Sequence, residues 1–154
     1  MALLKNVPAF RRSLAVWYGV HGRDLPWRRT RDPYAILLSE FMLQQTQVAT
    51  VIPYFNKWLR RFPNFASVAR ASQNAVLHAW QGLGYYNRVR NLHATAKIVQ
   101  ARYEGVFPRD IVAIRKLPGV GRYTANAIAT FAFNQPVPIV EANSSRVLAR
   151  LLDL

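Results

Sequence analysis

The chain has no cysteine, which excludes disulfides and thiolate metal sites. Histidine is sparse too. His21, His78 and His93 are scattered over 154 residues and show no metal-ligand spacing. Acidic residues are few: 7 Asp and Glu stand against 21 Lys and Arg. No apolar run reaches the ~18 residues of a membrane span. Lys5, Arg11 and Arg12 near the start are followed by neither an uninterrupted apolar core nor a small-residue cleavage site. There is no repeat, low-complexity tract or interdomain linker. The expectation is a soluble intracellular protein of about one domain.

What is present sharpens this. Half of the residues (51%) are apolar, enough to bury a core and to argue against disorder. The formal charge is +14 and the pI about 11.3. That excess predicts attraction to a polyanion, weakening steeply as salt rises. Charge alone leaves DNA, RNA and anionic membranes open.

The pattern reads as helices throughout, hence an all-α domain. Pro8 suits the first turn of a helix to about residue 18. Gly19, Gly22 and Pro26 mark a loop. Asp32-Pro33 is a helix start, an Asp cap followed by Pro. Helices are expected over about 34–44, over 46–61 with Pro53 kinking it or opening it late, and over 65–70, 73–80 and 87–103. Further helices are expected over 110–115, 121–133 and 143–154. The last ends on apolar residues without a Gly or Asn cap, as if more protein packed against it.

Four stretches carry chemistry. Leu117-Pro-Gly-Val-Gly121 is followed by Arg122-Tyr-Thr-Ala125. Gly119 and Gly121 permit a tight turn that brings backbone N–H groups to a phosphate. The helix that follows adds its positive end, and Arg122 adds charge; the alternative is an ordinary loop between two helices. In Ser39-Glu-Phe-Met-Leu-Gln-Gln-Thr-Gln47, Glu40 lies in an otherwise apolar helix, a setting that holds a proton more tightly and suits a general acid; the alternative is a surface Glu on an amphipathic helix. Gln44 and Gln45 offer neutral amides at that helix's end, or simply face solvent. Trp80-Gln-Gly-Leu-Gly-Tyr-Tyr86, followed by Arg88 and Arg90, could wedge beside a base while the arginines hold phosphates; the alternative is that a tyrosine packs in the core. Leu25-Pro-Trp-Arg-Arg29 could line a base pocket through Trp27 and Arg28, or pack Trp27 into the core.

In order and spacing these stretches resemble the MutY-type adenine DNA glycosylases, a branch of the helix-hairpin-helix glycosylases related to endonuclease III. The resemblance runs from Leu25 nearly to the end. It takes in Ile52-Pro-Tyr-Phe55, Arg90-Asn-Leu-His93, and Asn143 with Arg146-Val-Leu-Ala-Arg150. It implies a helix-hairpin-helix DNA glycosylase fold with a six-helix-barrel lobe over 25–140, the hairpin at 111–133. The N-terminal helix within 1–24 and the start at 141–154 would belong to an incomplete second lobe.

The resemblance also implies a reaction and its residues. Glu40 would protonate the departing adenine, mispaired with 8-oxoguanine or guanine, and then help to activate water. Glu141, Tyr123 and Asn143 would complete the catalytic set, with Glu40, Tyr123 and Glu141 facing one cleft. Gln45 would fill the space left in the duplex and Tyr85 would wedge beside the opposite base. Arg88, Gly119, Gly121 and Arg122 would hold DNA, and Trp27 and Arg28 would line the adenine pocket. Tyr123 stands where lyase relatives carry a lysine, so no Schiff base forms there and the enzyme would be monofunctional. The implied partner is double-stranded DNA holding a mismatch or 8-oxoguanine. The implied protein is a monomer, cytoplasmic or nucleoid-associated, with no membrane partner.

Three departures accompany the resemblance. Glu141 stands where the family has an aspartate, one methylene shorter and a better helix cap. The cysteines that hold the family's 4Fe-4S cluster would lie after Leu154, so no cofactor is expected within these residues. An adenine-contacting acid and a domain that reads the oxidised guanine would also lie there. A mismatch thymine or uracil glycosylase on the same scaffold, or a catalytically inactive DNA-binding module, are the competing readings. The departures imply that these 154 residues bind DNA but excise adenine poorly.

Overall fold

Residues 6–152 are described by a computed structural model, and every regular element among them is helical. The order is α1 (Val7–His21), α2 (Pro33–Leu43), α3 (Val48–Arg61), α4 (Phe65–Arg70), α5 (Gln73–Trp80), α6 (Asn87–Tyr103), α7 (Ile111–Arg115), α8 (Arg122–Phe133) and α9 (Ala142–Leu152). A 3-10 turn, Pro26–Arg28, lies within a segment expected to be loop.

Helix starts follow side-chain chemistry. Asp32, Ser72 and Asp110 accept the N–H groups of Tyr34, Ala75 and Ala113 at 3.0, 3.2 and 2.9 Å. Asn64 and Ser67 form a reciprocal capping box on α4. These caps satisfy donors that the first turn of a helix cannot pair internally. Pro53 neither delays nor ends α3. Val51, Phe55 and Trp58 bury one face of that helix around it, and packing outweighs the lost hydrogen bond. The last helix, expected to reach residue 154, is seen to Leu152; residues 153 and 154 lie outside the described ones.

The chain divides into two units, residues 25–139 and residues 1–24 with 140–154. In the larger unit α2 is the hub. It packs on α3, α6 and α8 and on the 3-10 turn. Eight of its eleven residues are buried, on all sides, as the near-continuous apolar run demands. Around it the rings of Trp58 and Trp80 meet edge to face at 5.5 Å. The Tyr34 hydroxyl donates to the Phe62 carbonyl at 2.6 Å and accepts from Trp58 Nε1 at 2.8 Å. Burial pushes the Tyr34 phenol up, so it stays protonated as that donor.

The smaller unit holds α1 and α9. Val16, Trp17 and Val20 on α1 and Val147, Leu148 and Leu152 on α9 are exposed. Trp17 stacks on the ring of His21 with centroids 5.0 Å apart.

Candidate nucleic-acid interface

The glycine-bearing turn joins α7 to α8. Leu117 and Val120 are buried and anchor the turn from within, while Arg115, Lys116, Gly119, Gly121 and Arg122 are exposed. Gly119 has φ +74°, where a β-carbon is strained. Gly121 does a different job. Its φ is ordinary, at −80°, and a β-carbon there would meet nothing within 4 Å. It opens α8 without a capping side chain, and the first helical bond runs from the Ala125 N–H to the Gly121 carbonyl at 3.0 Å. A helix start without a capping side chain carries partial positive charge, and three exposed cations, Arg115, Lys116 and Arg122, flank it in sequence. This is the arrangement that receives an anion such as a phosphate.

A second feature lies where α2 ends and α6 begins. Gln44, Gln45, Tyr85, Tyr86 and Arg90 line an open depression of roughly 270 Å³. Tyr85 is 59% exposed and Tyr86 40%, so neither tyrosine takes the core position that the sequence left open. Gln45 and Tyr85 both hold positive φ, 56° and 48°.

Arg88 departs from the expectation that it faces a phosphate. It is buried, and its two terminal nitrogens are spent on protein oxygens. Nη1 donates to the carbonyls of Phe41 (3.0 Å), Met42 (2.7 Å) and Gln44 and to Thr46 Oγ1 (3.0 Å). Nη2 donates to the carbonyls of Leu83 (3.1 Å) and Gly84 (3.2 Å). Its guanidinium lies 5.4 Å from the centre of the Trp80 ring and 5.3 Å from that of Tyr85. A cation at the end of α2 is well placed: the last carbonyls of a helix lack partners and carry its negative pole. α2 has no basic residue of its own in its last turn.

Glu40 is half-buried, between buried Ser39 and Phe41 on α2. α2 packs directly on α8, which carries Tyr123 near its start; Tyr123 is 36% exposed. Trp27 takes the core alternative. It is buried, with its ring edge-on to Phe55 at 5.3 Å, while Arg28 beside it is exposed. Glu141 and Asn143 belong to the smaller unit. Glu141 precedes α9, and its carbonyl accepts from the Ser145 N–H at 2.8 Å. Its carboxylate accepts from Asn143 Nδ2 at 3.3 Å, and Ser144 Oγ accepts from the Glu141 N–H at 2.8 Å.

Sequence reasoning missed Asn91, which packs against Gly119, and Thr46, which holds Arg88. It also missed Tyr54, whose hydroxyl donates to the Gln81 carbonyl at 3.1 Å, beneath the second glycine loop. The chain lacks cysteine, and among the described residues no group of three or more His, Asp or Glu could hold a metal. The residues present therefore do not fit the 4Fe-4S cluster that the resemblance attaches to the family.

Residues 38–153 match the family described as HhH-GPD superfamily base excision DNA repair protein. The chain is similar to the adenine DNA glycosylases of Homo sapiens, at 47% identity over 95% of the chain, and of Mycobacterium tuberculosis, at 47% over 90%. It is also 46% identical over 92% of its length to that of Buchnera aphidicola. It spans less than half of these relatives: 28%, 46% and 40% of their lengths, respectively. Among solved structures, a thermostable thymine-DNA glycosylase shares 31% identity and a TM-score of 0.87, over 95% of this chain and 70% of that one. An endonuclease III trapped on DNA shares the fold, with a TM-score of 0.80 at 24% identity, over 96% of this chain and 68% of that one.

Proposed function

Since the chain belongs to the HhH-GPD superfamily of base excision DNA repair proteins, we propose that it binds duplex DNA and serves in excising adenine mispaired with 8-oxoguanine or guanine. The observation that carries the choice of base is its kinship. Relatives at 44–47% identity over most of the chain are adenine DNA glycosylases, whereas the thymine-DNA glycosylase stands at 31%.

The geometry supports a mechanism. The α7–α8 turn holds the phosphate backbone and reads no sequence. The target base leaves the stack, because its reacting atoms are inaccessible within the duplex. Glu40, on a helix locked by packing, gives its proton to a ring nitrogen of the base as the bond to the sugar breaks. The bonding electrons leave with the base and the sugar becomes oxocarbenium-like. Water adds to the sugar carbon and its proton passes to the Glu40 carboxylate, restoring the acid. Tyr123 offers no amine, so no Schiff base forms at that position and water is the attacking group of this reading. The work is done by a monomer at the genome, in the cytoplasm or nucleoid.

The same scaffold in the thymine-DNA glycosylase favours, as a second reading, a mismatch thymine or uracil enzyme. Duplexes holding adenine opposite 8-oxoguanine, thymine opposite guanine and uracil opposite guanine, assayed for alkali-labile sites, separate the readings. Slow release of adenine is expected from these 154 residues, with Glu40→Gln slowing it by about a further 10²- to 10⁴-fold while binding is kept. Release of thymine or uracil alone selects the second reading. Binding without release of any base selects an inactive DNA-binding module.

A further inference from the structure

Four described residues other than glycine hold positive φ: Gln45, Tyr85, Glu104 and Asn134. Glu104 and Asn134 directly follow α6 and α8, and their N–H groups bond back into the helix, where a left-handed residue is common. Gln45 and Tyr85 have no such role. Gln45 is the third residue of a turn in which the Thr46 N–H bonds the Leu43 carbonyl at 3.3 Å, with Gln44 at φ −59°, ψ 111°. That is a type II turn, whose third position favours glycine. The turn over 80–83 is built alike, with Gln81 at φ −54°, ψ 129°, and does place Gly82 there. Position 45 gives up glycine for an exposed glutamine. Tyr85, at φ 48°, follows Gly84, at φ 70°. Such strain persists only where surrounding contacts hold it, and it gathers at working sites.

One side chain supplies those contacts to both. Arg88 donates to the carbonyl of Gln44 and to that of Gly84. These are the peptide groups immediately ahead of Gln45 and Tyr85, whose orientation sets the φ of each. It lies over the Tyr85 ring as well. All its hydrogen-bond partners are carbonyl or hydroxyl oxygens, and Nε is buried with no partner. A buried cation without a carboxylate is a costly way to join two segments, when apolar packing would serve stability better.

We infer that Arg88 is a positioning residue that clamps the peptide planes ahead of Gln45 and Tyr85, fixing the two side chains as a pair at the mouth of one depression. Through that pair it sets the preference for a disrupted base pair over an intact duplex. The DNA half of the inference rests on the proposed function; the clamp rests on the geometry alone.

Arg88→Lys keeps the charge but loses the planar fork that reaches both sets of carbonyls. A ring-fluorinated tyrosine at position 85 reports the clamp directly. In the unsubstituted protein its fluorine resonance should be one narrow line, and in Arg88→Lys it should shift or broaden. Affinity for a duplex with adenine opposite 8-oxoguanine should fall about tenfold, the scale of one lost charged hydrogen bond. Affinity for the fully paired duplex should stay within about twofold. A merely structural role would lower both affinities together with the melting temperature. Should Arg88→Lys fail to fold, Thr46→Val removes one partner of the clamp and should move the same readouts in the same direction, less far. A folded variant with an unchanged fluorine line and unchanged preference overturns the inference. If the unsubstituted protein shows no preference for the mispaired duplex, the functional reading fails, and the fluorine line alone then upholds or overturns the clamp.

Discussion

Asn91 occupies the space that a side chain on Gly119 would need: a β-carbon there would lie 2.5 Å from Asn91 Nδ2 and 2.8 Å from its Cβ. The left-handed backbone is a second, independent reason for glycine. Gly119→Ala should therefore destabilise the protein by about 2–4 kcal/mol, roughly 1 from the backbone and the rest from overpacking. Urea unfolding measures it. Adding Asn91→Ala removes Nδ2 but leaves a β-carbon, so the double variant should recover only part of the loss.

Gly121 should behave in the opposite way. Its backbone suits any residue and the space beside it is open. Gly121→Val should cost only about 0.5–1 kcal/mol of stability, as a poorer N-cap, yet on the proposed function weaken binding to every duplex sequence by the same factor, because a branched side chain would stand where an anion would sit. Titrations against salt should give a steep negative slope of log K on log salt. Arg122→Ala should make that slope shallower by about one. A flat slope would remove the polyanion argument.

At the start of α9 the cap is made backwards. Ser144, three residues on, reaches back to the Glu141 N–H, while the Glu141 carboxylate engages Asn143. An aspartate is short enough to accept an amide of the first turn itself. Glu141→Asp should raise stability by about 0.5–2 kcal/mol and, on the proposed function, raise the rate of excision. A more stable variant with no gain in rate would show that the extra methylene does not limit the chemistry.

His93 sets an acid-side dependence. Burial, then the nearby Lys97, hold its imidazole below the usual histidine range, against a hydrogen bond to the Ala71 carbonyl at 3.0 Å. The unfolded chain thus takes up this proton more readily than the folded one. Stability should be full above the unfolded value of about 6.5 and should fall as pH drops below it, until the folded protein protonates too. Urea midpoints between about pH 7.5 and about pH 5 should show the decline, and His93→Gln should flatten it.

Helix starts were legible where their causes are local. Asp32 and Ser72 announce themselves next to the turns they cap, whereas Asp110, expected as the first residue of its helix, caps it instead, and α1 runs through Gly19 to His21, past its expected end near residue 18. The glycine turn before α8 was legible for the same reason. The clamp was not, because Arg88 and its partners around the end of α2 lie 42 to 47 residues apart, and an arginine after paired tyrosines reads equally well as a phosphate ligand. A signal was present nonetheless. Arg88 precedes Leu92 by four residues, and Leu92, Ala96 and Val99 form the buried face of α6. An arginine on such a face must find oxygens inside the protein. Nor did sequence separate the two glycines of the turn, since only Asn91, from another helix, gives Gly119 its steric reason.

The burial of α2 on every side has a consequence in time. A helix held by three others and a 3-10 turn has no sub-global route by which to open. Its amide hydrogens should exchange with solvent only when the whole larger unit unfolds. Glu40 therefore rides on a segment whose opening should require that of the unit as a whole. On the proposed function, its carboxyl keeps its place between encounters with DNA, and whatever motion an extruded base requires falls to the loops at either end of the helix.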